Sequence, residues 1–89
     1  MGGVHADPEE LRNFANMLAE YINTLEDATN QIYGGFESLS DSWQDEKRNA
    51  FEDEFKVLID QISQFKSSCE EQVPYLHNLA NILDGYQTF

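Results

Sequence analysis

The sequence predicts an all-α protein, a long antiparallel helical hairpin that dimerises into a four-helix bundle. Three observations lead there. Apolar residues recur at heptad spacing in both halves of the chain, no stretch alternates apolar and polar residues as a strand would, and a short polar segment around Trp43 separates the halves.

Residues 1–6 read as a flexible leader, and 7–89 as the hairpin. Asp7-Pro8-Glu9-Glu10 is a helix start: Asp7 can cap, Pro8 suits the first helical position, and the glutamates favour the positive end of the helix dipole. Leu11, Leu18, Leu25, Ile32 and Leu39 then recur every seven residues, with Ala15, Ile22, Thr29 and Phe36 at the same interval between them. Phe14, Tyr21 and Ala28 widen the stripe on one side, beyond what a two-stranded coiled coil needs. Gly34-Gly35 costs a helix roughly 1 kcal/mol per glycine against alanine. Phe36 and Leu39 nevertheless keep the register, so the first helix is placed at about 8–39, frayed near the glycines.

The segment of about 40–44, including Trp43, holds several cap candidates and almost no aliphatic residue, which predicts a tight turn. A second helix over about 45–85 follows. Its seam is Phe51, Phe55, Leu58, Ile62, Phe65 and Cys69, then Leu76, Ala80 and Leu83. Pro74 falls inside it and removes the hydrogen bond that its nitrogen would give to Glu70, which predicts a kink or short break. Helices of this length form a rod two helices thick, in which each seam is half covered. A second hairpin would cover the remainder.

An 89-residue chain has room for one marginal core, and such folds are usually supported by disulfides, metals or association. Cys69 is the single cysteine, so no intrachain bridge can form. A lone thiol suits a reduced compartment or a protein exported without needing bridges. Seventeen acids against five basic residues give a net charge of −12, which repels phosphate backbones and anionic bilayers. Neither nucleic acid nor membrane is expected as a partner. No run approaches the ~18 apolar residues of a membrane span. The first residues also lack the basic and apolar segments of a secretory signal peptide.

Catalytic and metal chemistry find no support in the residue spacing. His77 lacks the lysine three places later and the glycine four places later of a phosphotransfer helix, having Ala80 and Asn81 there. Pro74 stands where a di-iron Glu-x-x-His motif would need its glutamate. Glu52-Asp53-Glu54 points in separate directions on a helix and lacks the glycine-centred loop of a calcium hand. No Gly-rich phosphate loop or Gly-x-Ser-x-Gly is present. The expected protein is not an enzyme and carries no cofactor or metal.

Trp43 admits two readings: a plug for the end of the bundle, or part of a recognition turn. Leu39 lies four residues before it, Asp45 two after, and Phe51 eight after. This spacing, with the length and helix order of the whole chain, resembles the WXG (Esx-like) family of small type VII secretion proteins. The match is to a divergent branch, because Trp43-Gln44-Asp45 replaces W-x-G. Aspartate also caps helices and tolerates unusual backbone angles, so the turn can survive the change. Many exported members of the family also carry, after the second helix, a tyrosine followed four places later by an acid. Tyr86 is followed only by Gln87, Thr88 and Phe89, and Tyr75 has Leu79 at that place.

The resemblance implies a protein–protein interaction module that acts as a dimer, as secretion substrate or escort. Its partners would be a second copy or a homologous hairpin, with a secretion ATPase or cargo beyond. It would be cytoplasmic before export and secreted without an N-terminal signal peptide. Trp43, Asp45 and Phe51 would form the recognition turn. Leu11, Leu18, Ile22, Leu25, Ile32, Leu39, Phe55, Leu58, Ile62 and Phe65 would form the core and dimer seam. The competing reading is a cytoplasmic acidic adaptor that binds a basic protein and is not exported.

Overall fold

A computed structural model describes the chain from Ala6 to Gln87, with side chains to Gly85. The proposed leader falls mainly on residues 1–5, outside the described residues. Two helices make up the fold: α1 (Pro8–Ser40) and α2 (Glu46–Gln87), joined by a turn and packed against each other as an antiparallel hairpin.

The start of α1 follows from its first residues. The Asp7 side chain accepts a hydrogen bond from the Glu9 backbone N–H at 2.9 Å, and Pro8 occupies the first turn, where a missing N–H costs nothing. The helix runs through Gly34 and Gly35 without a positive φ, as the register of Phe36 and Leu39 predicts. Its end is closed by backbone bonds from Asp41, Ser42 and Trp43 back to Ser38 and Leu39. Asp45 then caps α2: its carboxylate accepts from the Arg48 N–H at 3.0 Å. Pro74 lies inside α2, and the helix continues past it to Gln87 without a break.

The hairpin is a rod with extents of 68 × 20 × 16 Å. Its radius of gyration is 20.0 Å, where a compact chain of this length would have about 12 Å. It exposes 6734 Å², against about 5,300 Å² for a compact monomer of this mass. Among the described residues the buried apolar core is correspondingly small, Ala15, Ile22, Phe55, Cys69 and Ala80, and no large side chain is fully enclosed.

Ala15 and Ala80 are fully covered. Arg12 reaches Asn81 across the hairpin, so both alanines lie at the open end, where small side chains let the helices approach. Ala80→Leu is therefore expected to overpack this contact and to cost about 1–3 kcal/mol. A lowered urea midpoint by circular dichroism would register it, and an unchanged midpoint would mean that the helices are free to separate there.

Candidate protein–protein interface

The two edges of the helix–helix contact differ in chemistry. Along one edge polar groups cross the hairpin. Arg12 pairs with Asp84 and donates to Asn81, Lys66 stands 3.5 Å from Glu26, and Arg48 donates to the Ser40 hydroxyl at 2.6 Å. Asp84, with help from Glu9, holds the Arg12 guanidinium above its ordinary pKa, against a smaller opposing effect of burial. That charge is present at every pH near neutrality.

Along the other edge the contacts are apolar and open to solvent. Tyr21 meets Phe65 edge-on with ring centroids 6.3 Å apart, and Phe36 meets Phe51 at 5.8 Å. Phe14, Tyr21, Ile32 and Leu39 of α1 are exposed, as are Phe51, Leu58 and Phe65 of α2. At 100° per residue each set lies on the flank of its helix that turns toward this edge. The hairpin thus has one apolar face running from its open end to its turn, and the ion pairs are kept on the opposite side.

At the turn the aromatic rings become continuous. Phe55 is the buried member, with centroids 4.7 Å from Phe36, 5.7 Å from Tyr33 and 6.1 Å from Phe51. Trp43 is half-buried and lies 5.9 Å from Phe51. Arg48 covers the cluster: its guanidinium sits 5.3 Å from the Phe36 centroid and 3.5 Å from Glu52, while the hydroxyl it bonds, on Ser40, donates back to the Phe36 carbonyl. Arg48→Ala removes the stacking, the stem packing and the hydroxyl bond together. A loss of about 1–2 kcal/mol is expected, measurable by thermal denaturation, and Arg48→Lys should recover only part of it.

The residues picked out from the sequence fall into two groups. Ile22 and Phe55 are buried, and Leu11, Leu18, Leu25 and Ile62 are half-buried between the helices. Ile32, Leu39, Phe51, Leu58 and Phe65 are exposed on the apolar face. Trp43 is half-buried and Asp45 exposed in the turn. Three residues facing α1 were not in the seam read from the sequence: Ile59, Lys66 and Val73, all half-buried. They follow Phe55, Ile62 and Cys69 by four residues, so α2 turns this side inward and leaves the Phe51, Leu58 and Phe65 side open. The lysine broke the apolar pattern, and only its partner Glu26 explains it. Arg48 and Tyr33 gave no periodic signal either.

Among the described residues, no group of three or more His, Cys, Asp or Glu is placed to hold a metal ion. No described helix is long and apolar enough to cross a membrane. The described residues thus form a two-helix rod with one charged and one apolar edge.

The chain belongs to the WXG100 family, described as proteins of 100 residues with WXG, whose model matches residues 3–85. Membership makes it a small helical protein associated with type VII secretion. No curated protein and no solved structure matches the chain significantly.

Proposed function

We propose that this protein is a non-enzymatic interaction module of a type VII-type secretion system, acting as a dimer of hairpins and serving as substrate or escort. One observation carries the reading. A chain of net charge −12 keeps an apolar face open that is free of charge along the α1 stripe and carries Phe51, Leu58 and Phe65 on α2. Exposed apolar faces of this extent mark association sites, and an 89-residue rod with so small a buried core gains stability from covering one.

Self-pairing is favoured by the charge pattern. Two copies meeting through this face bring few carboxylates together, whereas any other face would oppose acid to acid. The dimer would present its Trp43 turns to a secretion ATPase or to cargo. In this reading Trp43 and Phe51 act from a rigid aromatic base, and Asp45 fixes the start of α2 that carries Phe51.

Trp43→Ala separates assembly from recognition. The dimer should persist by light scattering while export from a host with the secretion system falls by about tenfold or more, a loss on the scale of one interface anchor. Export at the wild-type level would remove the turn from the mechanism. No export of the wild type under any condition would favour the acidic adaptor.

A further inference from the structure

The edge opposite the apolar face is bridged at intervals and open between them. Arg12 reaches Asn81 and Asp84 at the open end, Lys66 stands 3.5 Å from Glu26, and Arg48 donates to the Ser40 hydroxyl at 2.6 Å beside the turn. Between the last two bridges no hydrogen bond or ion pair joins the helices among the described residues, over about 21 Å of α1. This gap holds two cavities. One, of about 230 Å³, has Ile59 and Ile62 among its lining residues, and the other, of about 130 Å³, has Phe36 and Phe55. Tyr33 is 45% exposed and lines both. Phe55 and Ile59 are one turn apart on α2, about 6 Å, which is the spacing of side chains at i and i+4 on a helix lying alongside.

Charge is sorted across this groove. The α1 wall supplies Glu26 and Glu37 and no base, whereas the α2 wall supplies Lys56 and Lys66, with Arg48 and Glu52 toward the turn. Three of the five basic residues in a chain of net charge −12 thus stand on one wall of one groove. Lys66 is held between Glu26 and Glu70. Lys56 and Glu37 are exposed and line the same cavity, yet neither has an ion-pair partner among the described residues. The α1 wall is also low at its middle. Asn30, Gly34 and Glu37 share one flank at steps of four and three, and a Cβ at Gly34 would meet no atom within 4 Å. Glycine is a poor helix former, so the hairpin by itself gains nothing from Gly34, whereas a second chain approaching closely does.

We propose that this groove docks an amphipathic helix of a different protein. Two apolar side chains one turn apart enter the cavities, a base on one flank meets Glu37, and an acid on the other flank meets Lys56. A purely basic segment would be opposed by Lys56 and Lys66, and a purely acidic one by Glu37 and the net charge. The chain offers no such helix to a second copy of itself. Outside the groove its bases are Arg12, already paired with Glu9 and Asp84, and Lys47. Docking here leaves the apolar face free, so the proposal goes beyond the dimer reading and does not rest on it.

A stapled, fluorescent helical peptide of about 14 residues, matching the open length, is the probe. It carries two leucines at i and i+4, lysines on one flank and glutamates on the other. Anisotropy should show saturable binding to the wild-type protein, weaker by about tenfold or more when the leucines become alanine or when both flanks carry glutamate. Gly34→Trp should raise the wall and weaken binding by about tenfold or more, with the dimer unchanged by light scattering and helicity unchanged by circular dichroism. Lys56→Glu and Glu37→Lys should each weaken binding by about fivefold, and the double variant should recover it, because a helix turned end for end presents its flanks exchanged. In the producing cell, a photo-cross-linker at Asn30 should give an adduct with another protein that Gly34→Trp abolishes. No saturable binding, equal binding of the all-glutamate peptide, an indifferent Gly34→Trp, or an adduct with a second copy alone would overturn the docking and leave the dimer reading intact.

Discussion

Phe55→Ala is expected to cost about 3–5 kcal/mol, enough to unfold most of the protein at 25 °C. Phe55 is only 7% exposed and, among the described residues, is the one large aromatic buried between the helices, touching Tyr33, Phe36 and Phe51. Truncation leaves a hole that two rods joined by a single turn cannot close by collapse, since the turn fixes the helix spacing at that end. A domain this small rarely holds more than about 3–5 kcal/mol in reserve. Urea denaturation followed by circular dichroism would measure the effect. Phe51→Ala, at an exposed position of the same cluster, should cost less than half as much in the monomer. If the two variants were equally stable, the aromatic cluster would not be the core of the turn end.

Phe65→Glu is expected to abolish the dimer, raising its Kd by about a hundredfold or more, because a carboxylate would lose its water in an apolar contact without a partner. Val57→Glu should leave the dimer as it is. The comparison is controlled by exposure: Phe65 is 51% exposed and Val57 54%. What differs is direction. Phe65 stands on the apolar face beside Tyr21, whereas Val57 lies on the back of α2, away from α1. Sedimentation or light scattering across a concentration series would read both. Equal loss in the two variants would mean that added charge, and not the face, governs association. No loss in either would place the interface elsewhere.

The expected folding cost of these surface changes is small, and this bears on what the apolar face is for. A residue retained at half exposure for the sake of the monomer would be missed by the monomer. Phe65 makes one edge contact, to Tyr21, and Leu58 is half open, so each gives the isolated hairpin only part of its apolar area. The ion-paired edge is the reverse case. Arg12, Lys66 and Arg48 each bridge α1 and α2, fixing the rotation of one helix against the other, and thereby which stripe is left outside.

Much of this was written in the chain itself. Asp7-Pro8 and Asp45 mark the helix starts through local cap chemistry, and heptads of leucine, isoleucine and phenylalanine mark the bodies. Gly34-Gly35 did not stop α1 because the apolar pattern on both sides outweighed about 2 kcal/mol of propensity. Local signals of this kind depend on neighbours within one or two turns, so sequence alone determined helix extent, turn position and family resemblance. The rotation of α2 was decided only by tertiary packing. Its apolar stripe covers more than the width one neighbour can bury, and Phe51, Leu58 and Phe65 compete with Ile59, Lys66 and Val73 for the inward place beside Phe55, Ile62 and Cys69. The aliphatic stem of Lys66 packs inward because Glu26, forty residues earlier, receives its charge. A contact between residues so far apart in sequence has no periodic signature, and it leaves the three more apolar residues facing outward, free for a second chain.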